Sequence, residues 1–248
     1  GEIGLADKIG WRALVDERGD EGDGRQALIE MKDGALMAGW RYRGPDLDAD
    51  TEEGLELLSQ RVNFALLPYV DSWMFHVDAI HRPAPGYAPA GAFRDPVTRA
   101  IDEERRAAYL QSGRNFETDH YLIATYLPPH DAFSRLGELL VTRPRREQVD
   151  AEYALILDRF WGYLRELESR FPSAIRLEPL DADQLITHLH TCLTGKSHSV
   201  AVPEDASDLT RVLVDEDLWG GFEPVVGGMA FRVVGITDFP LRSRPGLL

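Results

Sequence analysis

Two turn signals constrain the fold of this chain more than any other feature. Asp33-Gly34 lies between the apolar runs 27–31 and 35–42, and Gly227-Gly228 lies between a second pair of apolar runs. Asp-Gly and Gly-Gly pairs readily adopt the backbone conformation that a two-residue hairpin turn requires. The sequence therefore predicts two β-hairpins, and a hairpin joins antiparallel strands.

Between these hairpins, strand-like and helix-like segments alternate without a regular strand–helix–strand repeat. Strands are predicted by β-branched and aromatic residues, and helices by apolar residues at helical spacing. The predicted strands span 73–80, 116–127, 174–177 and 200–202, and the predicted helices begin near residues 48, 95, 131, 153 and 181. This order predicts an α+β fold with mixed, largely antiparallel sheets and packed helices. A division after residue 128 would give two α/β sub-lobes, 25–128 and 129–248.

The first 24 residues differ in composition from the rest of the chain. From Asp16 to Gly24 the sequence is acidic and rich in glycine, and it offers few apolar side chains to a core. Such composition favours disorder. We therefore expect residues 1–24 to form a poorly ordered acidic N-terminal segment, followed by the folded domain over 25–248.

The charge balance argues against direct nucleic-acid binding. Asp and Glu total 42 against 27 Lys and Arg, a formal net charge of −15. An acidic surface repels a phosphate backbone unless a local basic patch compensates. A solvated loop explains the basic cluster Arg143, Arg145 and Arg146 as well as a binding patch does. The carboxylates and arginines of 103–106 are typical of an exposed helix flank.

Cys192 is the one cysteine of the sequence, so an intramolecular disulfide is not possible. Its apolar helical context predicts a small buried side chain rather than a reactive thiol. No apolar run approaches the roughly 18 residues that a membrane-spanning helix needs. We therefore expect a protein of a reducing compartment, attached to any membrane through other subunits or through segments outside this chain.

Histidines and an aspartate near the middle of the chain could be interpreted as metal ligands. On a strand His76 and Asp78 share a face, whereas His81 falls on the other. Two matched donors are too few for a closed zinc site. His188 and His190 are separated by about 200° around a helix, so they cannot chelate together. The sequence thus predicts no metal site.

Gly195-Lys196-Ser197 matches the last three letters of the phosphate-binding motif G-x-x-x-x-G-K-[ST]. The first glycine of the motif is missing, because His190 occupies its position, and the preceding segment reads as a helix rather than a strand. We interpret the triplet as a decoy: Gly195 follows a helix end, and Lys196 lies near the negative end of its dipole. No other catalytic motif occurs, so no catalytic, cofactor-binding or metal residue is assigned.

A longer pattern of ordered blocks resembles a known family over roughly residues 25–248. The blocks comprise an early hairpin, a helix followed by a tryptophan-bearing strand, an aromatic strand, a helix–glycine–proline segment and a closing strand. They are Leu28–Met37, Asn63–Leu67, Trp73–Val77 with His81-Arg82, Phe116–Leu122, Leu189–Gly195 with Val202-Pro203, and Gly235–Pro240 with Pro245–Leu248. In order and spacing they are similar to the N-terminal region of the CagE/TrbE/VirB family of conjugal-transfer ATPases, especially TrbE-like members.

The resemblance implies a role for this chain within a larger machine. In that family a motor domain C-terminal to this region binds ATP and Mg, and full-length members form hexamers that energise pilus assembly and substrate transfer. The resemblance implies that the motor is absent from this chain, which would be a non-catalytic docking and assembly domain. Its expected partners are its own motor and other type IV secretion subunits, at the cytoplasmic face of the bacterial inner membrane.

Two alternatives remain open from the residues alone. The chain could be a stand-alone enzyme with a cleft near His76, Asp78 or scattered carboxylates. It could also be a cytosolic nucleotide-binding protein that uses Gly195-Lys196-Ser197. Nucleotide and metal binding by the chain distinguish these alternatives from a docking domain.

Overall fold

The structure is a computed structural model that describes residues 9–19, 25–45, 51–129 apart from 85, 90, 92 and 114, 146–202, 209, 213 and 218–235. Its helices are α1 (Glu52–Leu66), α2 (Pro96–Gln111), α3 (Arg146–Arg170) and α4 (Ala182–Thr194). Its strands are β1 (Trp11–Arg18), β2 (Gln26–Met31), β3 (Leu36–Arg43), β4 (Trp73–Pro83), β5 (Phe116–Tyr126), β6 (Arg176–Pro179), β7 (Leu218–Trp219), β8 (Val225–Val226) and β9 (Met229–Ala230).

An antiparallel sheet with the strand order β1-β2-β3-β5-β4 forms the centre of the described fold. The first predicted hairpin is confirmed: β2 and β3 pair antiparallel, and Gly34 adopts a left-handed backbone with φ +84° in the turn between them. β5 occupies one edge of β3, and the other edge is shared by β2 at its start and β6 at its end. The predicted α+β class with antiparallel sheets is confirmed.

Both faces of this sheet are covered by helices. Successive side chains of a strand point to opposite faces, so neighbouring residues join different cores. The core on the α3 face contains Leu28, Leu36, Ala38, Trp40, Leu122 and Ala124 with Leu157, Phe160, Leu164 and Leu167 of the helix. The core on the α4 face contains Ala27, Ile29, Met37 and Ile123 with Leu185, Ile186 and Leu189 of the helix. The apolar helical stripe predicted after residue 153 therefore packs as expected.

Gly39 leaves room for the side chains of Ile123 and Leu180 on the α4 face of the sheet. A Cβ atom at this position would lie 2.5 Å from Cδ1 of Ile123 and 3.2 Å from Cδ1 of Leu180. Leu180 is also fixed there, because its N–H donates to the Gly39 carbonyl over 3.0 Å. The glycine thus positions the loop from which α4 begins.

The two long strands β4 and β5 pair along their whole lengths, from Trp73 opposite Tyr126 to Pro83 opposite Phe116. Both strand predictions are confirmed, and β4 continues three residues beyond the predicted end at Ile80. β4 is an edge strand of the sheet. α2, which connects the two strands, begins after its N-cap Asp95, and it contributes no fully buried residue to the core.

The predicted disorder of residues 1–24 is wrong for residues 11–18, which form β1 on the edge of the sheet beside β2. The polar residues of this segment are fixed by specific partners. Asp16 Oδ2 accepts hydrogen bonds from Trp161 Nε1 over 3.0 Å and from Arg18 over 2.8 Å. Glu17 Oε1 accepts from the Ala182 N–H at the start of α4 over 3.0 Å. These hydrogen bonds fix the polar residues of β1 although the segment offers few apolar side chains to the core. Residues 1–8 and 20–24 lie outside the described residues.

Two further predictions differ from the structure. Residues 200–202 do not form a strand, because the Val200 N–H and carbonyl both bond to the Thr187 hydroxyl, and the Val202 N–H bonds to Asp183. The backbone is thereby attached to side chains of α4 instead of a neighbouring strand. The strand predicted over 174–177 lies two residues later, as β6. A short helix predicted over 131–141 lies outside the described residues.

The second predicted hairpin is also present, although its strands are short. β8 and β9 pair across Gly227 and Gly228, which both have positive φ, and β7 pairs with β8 on the other side. No helix among the described residues has both the length and the apolar character that crossing a bilayer demands. The suggested division into 25–128 and 129–248 stays a prediction. β6, α3 and α4 follow residue 129 in the chain, yet they pack on strands that precede it.

Candidate functional site

Three side chains with chemically reactive atoms meet between β4 and the second half of α4. They are Asp78 of β4 and His188 and Cys192 of α4. His188 and Cys192 lie four residues apart, so they share one face of the helix. The side chain of His188 is 1% exposed, whereas Asp78 is partly exposed and Cys192 is at the surface. The cluster therefore extends from the protein interior to solvent.

The distances within this cluster are short. His188 Nε2 lies 3.0 Å from Asp78 Oδ2, to which it can donate a hydrogen bond. Cys192 Sγ lies 3.6 Å from Nε2 and 4.0 Å from Nδ1 of the same ring. All three potential ligand atoms lie within 4.8 Å of one another. One small ion or one polar group could contact all three at once.

Tyr121 fixes the orientation of the His188 ring. The strand register places Tyr121 of β5 directly opposite Asp78 of β4, so both side chains point towards α4. The Tyr121 and His188 rings are 4.1 Å apart at their centroids, with 31° between their planes. A histidine held by an aromatic ring on one side and a carboxylate on another has little rotational freedom.

A pocket of about 310 Å³ adjoins the cluster. Its polar side chains are His76, Asp78, His188 and Cys192. The rest of its lining is mostly apolar and comes from Gly10, Trp11, Met31, Met37, Ile123 and Leu189. A few convergent polar groups against an apolar wall are typical of a site for a small ligand or ion.

The environment shifts the protonation equilibria of the two acidic groups in opposite directions. The hydrogen bond from His188 lowers the pKa of Asp78, burial opposes this effect, and the charges of His188 and His76 add to it. Desolvation, followed by the negative charge of Asp78, raises the pKa of the Cys192 thiol to about 11. The cluster thus holds an ionised carboxylate beside a protonated thiol at neutral pH.

The structure separates the three candidates of the β4 segment as the strand period predicts. His76 and Asp78 line the same pocket on the α4 face. His81 lies on the other face, where its ring stacks on Phe116 at 4.7 Å and its Nδ1 lies 3.0 Å from Thr118 Oγ1. Only Asp78 among these three belongs to the cluster with His188.

The predicted burial of Cys192 is wrong, because its residue is exposed at the surface of α4. The apolar residues that neighbour it in sequence lie on the side of the helix that faces the core, whereas Cys192 lies on the side that faces the pocket. His190 points elsewhere than His188: it is buried, and its ring meets that of His198 edge to face at 4.7 Å. Within the described residues, neither ring nitrogen of His190 has a hydrogen-bond partner.

Gly195-Lys196-Ser197 lies at the C-terminal end of α4. Gly195 has a left-handed backbone with φ +72°, and its N–H donates to the Thr191 carbonyl over 2.8 Å, as a helix-ending glycine does. The Lys196 N–H donates to Thr194 Oγ1 over 3.2 Å. The backbone of the triplet therefore completes a helix end, where the dipole is negative. Its interpretation as a decoy for nucleotide binding stays a prediction.

The remaining charged candidates do not meet in a cleft within the described residues. Arg143 and Arg145 lie outside those residues, and the side chain of Arg146, at the start of α3, is also not described. On α2 the residues 103–105 are exposed, and Arg106 lies over the ring of Tyr87 at 4.8 Å. These observations fit a solvated helix flank.

Comparison with known proteins identifies the family. Residues 27–133 match the family described as "Type IV secretion system ATPase VirB4/TrbE, N-terminal domain". "Conjugal transfer protein TrbE" of Rhizobium radiobacter is 31% identical over 261 residues, which cover 98% of this chain and 30% of that protein. The first part of a probable conjugal transfer protein TrbE of Sinorhizobium fredii (strain NBRC 101917 / NGR234) is 38% identical over 126 residues, covering 50% of this chain and 78% of that protein. The chain belongs to the VirB4/TrbE family.

Membership of the VirB4/TrbE family confirms the resemblance found in the ordered sequence blocks. The chain corresponds to an N-terminal region of these conjugal-transfer ATPases, and it spans about 30% of the length of the Rhizobium radiobacter relative. Asp78 lies inside the segment that matches the VirB4/TrbE N-terminal domain, whereas His188 and Cys192 lie beyond it.

Sequence reasoning missed the cluster because its members are far apart in the chain. Asp78 and His188 are separated by 110 residues. Only the four-residue spacing of His188 and Cys192 was visible locally, and such a pair on a helix is a weak signal on its own. The strand that faces the pair could not be identified without the sheet order.

Proposed function

We propose that this chain is a non-catalytic docking and assembly domain of a conjugal-transfer ATPase. The hexameric motor that binds ATP and Mg²⁺ would lie outside this chain, and the whole protein would energise pilus assembly and substrate transfer. The domain would sit at the cytoplasmic face of the inner membrane and contact other secretion subunits. One observation carries this proposal: the segment that matches the VirB4/TrbE N-terminal domain exposes large apolar side chains on α1 and directly after it.

These side chains form what we call the α1 apolar surface. Phe64 is 69% exposed and Leu67 is 67% exposed, and Leu57 and Val70 extend the set along the helix and the segment that follows it. All four lie inside the matched residues 27–133. Phe64 and Leu67 also belong to the block Asn63–Leu67 that resembles the family. Clustered exposed apolar side chains are typical of a protein–protein contact.

The opposite face of α1 already supplies the contact with the protein core. Ala65 is buried, and Leu66 packs against the core on the α3 face, as does Tyr69 just beyond the end of the helix. The Tyr69 hydroxyl also donates to the Tyr163 carbonyl of α3 over 3.1 Å. Because the inner face holds the helix in place, the fold does not require large apolar residues on the outer face. A partner protein that covers this outer face would explain why large apolar side chains occur there.

The charge of the chain favours a protein partner over a nucleic acid. With a formal net charge of −15, the chain repels a phosphate backbone at long range. The same charge would speed association with a basic surface of another subunit. We therefore propose that transported DNA, if any, does not contact this domain.

The geometry of Gly195-Lys196-Ser197 supports the non-catalytic aspect of the proposal. A phosphate-binding loop directs N–H groups at the start of a helix towards the anion. Here the triplet ends α4, and the nearby carbonyl ends of the helix are unfavourable for an anion. Calorimetric titration of the chain with ATP and Mg²⁺ should show no saturable binding. Micromolar affinity that is lost in Lys196→Ala would instead support a nucleotide-binding protein.

Photo-crosslinking in cells tests the docking proposal directly. A photoreactive phenylalanine analogue is placed at position 64 of the whole parent protein, in bacteria that carry the secretion system. We expect a covalent adduct between the parent and another secretion subunit, identified by mass spectrometry. The matched control places the analogue at Leu110 of α2, which is equally exposed at 67% but lies outside the α1 apolar surface.

The two positions together give a clear outcome. Adducts at position 64 and none at position 110 support docking through the α1 apolar surface. Equal adducts at both positions, or adducts at position 64 only with the parent polypeptide itself, would contradict it.

A further inference from the structure

The geometry of the cluster between β4 and α4 points to a metal site. We propose that Asp78, His188 and Cys192 bind one Zn²⁺ ion, through Oδ2, Nε2 and Sγ respectively. The proposal concerns residues that the docking role does not use, so it stands independently of the proposed function. It also revises the expectation of no metal site, because the structure adds two donors to Asp78 from a distant helix.

The distances between donor atoms fit a tetrahedral ion. With Zn–S near 2.3 Å and Zn–N or Zn–O near 2.0 Å, adjacent ligand atoms in a tetrahedron are about 3.3 to 3.6 Å apart. The observed separation of Cys192 Sγ and His188 Nε2 is 3.6 Å, and that of Nε2 and Asp78 Oδ2 is 3.0 Å. These two separations lie within a few tenths of an ångström of the tetrahedral spacing, and Cys192 Sγ and Asp78 Oδ2 lie within 4.8 Å of each other, so side-chain adjustment would bring all three donors onto one ion.

The donor types select the kind of ion. A thiolate and an imidazole together suit Zn²⁺ and its spectroscopic substitute Co²⁺, whereas Mg²⁺ and Ca²⁺ prefer oxygen donors alone. A carboxylate and a thiolate would also neutralise the two charges of the ion. The resulting site carries no net charge, which favours its position beside the apolar wall of the pocket.

The surroundings hold the ligands in place before an ion arrives. The His188 ring is buried and packed against Tyr121 at 4.1 Å, and Asp78 lies opposite Tyr121 in the strand register. Nε2 offers its lone pair when the ring proton lies on Nδ1, and the thiol releases its proton on binding. Cys192 is exposed, so an ion can enter from solvent. All three ligand residues line the pocket, so water from the pocket would complete the coordination.

A bound ion would connect the edge of the sheet to α4. β4 is an edge strand, and the cluster joins it to a helix more than a hundred residues later in the chain. We therefore expect the ion to stabilise the attachment of β4 to α4.

Spectroscopy of the Co²⁺-loaded chain tests the site. The chain is purified without an affinity tag, stripped with a chelator, kept reduced and titrated with Co²⁺ alone. We expect binding of one ion per chain, visible-region bands typical of tetrahedral Co²⁺ and a near-ultraviolet sulfur-to-metal charge-transfer band. Zn²⁺ should displace the Co²⁺ and raise the melting temperature of the chain.

Two conservative variants and one control identify the ligands. Cys192→Ser changes an exposed residue, so it should fold; it should abolish the charge-transfer band and weaken Co²⁺ affinity at least about tenfold. Asp78→Asn should weaken the affinity to a similar degree. His81→Asn, on the other face of β4, should leave both the band and the affinity unchanged. The proposal is overturned if the chain shows no saturable Co²⁺ binding, or if Cys192→Ser retains the charge-transfer band.

Discussion

The effect of replacing a glycine on stability depends on the backbone conformation at its position, as two glycines of this chain illustrate. Gly195 ends α4 with φ +72°, and a Cβ there would lie 3.0 Å from Phe231 Cε1. Gly162 lies inside α3, and no atom beyond its chain neighbours and the adjacent helix backbone lies within 4 Å of such a Cβ. The same substitution at the two positions should therefore have opposite effects on stability.

Gly195→Ala should lower the free energy of unfolding by about 1–2 kcal/mol, because an alanine is strained in the left-handed region. Gly162→Ala should raise it by roughly 0.5–1 kcal/mol, since alanine loses less conformational freedom in a helix. Urea denaturation of both variants checks the pair. Destabilisation by both variants would contradict the open helical position of Gly162, and destabilisation by neither would contradict the left-handed helix end at Gly195.

Trp40 connects the sheet to α3 through both its ring and its N–H. The residue is fully buried, and Nε1 donates to Glu168 Oε1 over 2.6 Å. Trp40→Phe removes this hydrogen bond to a charged group, which should lower the free energy of unfolding by about 2–3 kcal/mol. Trp219→Phe, at a residue that is 70% exposed, should change it by less than about 0.5 kcal/mol. Equal effects in denaturation experiments would contradict the described core.

At the scale of elements, the two aspartate N-caps, Asp95 and Asp181, begin helices that contribute differently to the core. Asp181 forms a capping box with Gln184 at the start of α4, whose inner face is buried. Asp95 caps α2 through the Thr98 N–H over 2.8 Å, but α2 contributes no fully buried residue. Loss of a cap should therefore have global consequences in α4 and local ones in α2.

Asp181→Ala should lower the global free energy of unfolding by about 1 kcal/mol, the usual effect of removing a cap. Asp95→Ala should instead increase amide hydrogen exchange within α2 and leave the global value nearly unchanged, because α2 can open on its own. Denaturation and hydrogen exchange on both variants separate the two effects. A global loss in Asp95→Ala as large as that in Asp181→Ala would refute the peripheral position of α2.

Elements with strong local signals could be predicted from the sequence, and elements fixed by distant partners could not. β5 and α2 follow from side-chain period and capping residues: β5 begins and ends within one residue of prediction, and α2 begins within one residue of prediction. β1 was missed because its polar residues are satisfied by Trp161 and by the start of α4, far away in the chain. Residues 200–202 look like a strand by composition, yet the hydroxyl of Thr187 takes up both backbone groups of Val200.

At the scale of the whole molecule, the sheet between α3 and α4 brings distant segments together. Asp78 and His188 meet because β4 joins the sheet beside β5 and α4 crosses the same face. The spacing of His76 and Asp78 in the sequence places them on one face of a strand. It could not identify His188 as the partner of Asp78, because the order of strands in the sheet depends on long-range pairing. The family itself was recognisable from the order of degenerate blocks along the chain, a pattern that does not depend on the tertiary structure.

The central claim, that this domain docks a conjugal-transfer ATPase onto its secretion system, is tested most directly by competition during conjugation. The chain is produced in excess in donor cells that also contain the whole parent protein. Excess wild-type chain should occupy the docking partner and lower the transfer frequency at least about tenfold by mass action. The double variant Phe64→Ser/Leu67→Ser, which alters only exposed side chains, should lose this inhibition. The matched variant Val97→Ser/Leu110→Ser on α2, where both side chains are similarly exposed, should retain it. Unchanged transfer with excess wild-type chain, or equal inhibition by all three proteins, would contradict the claim.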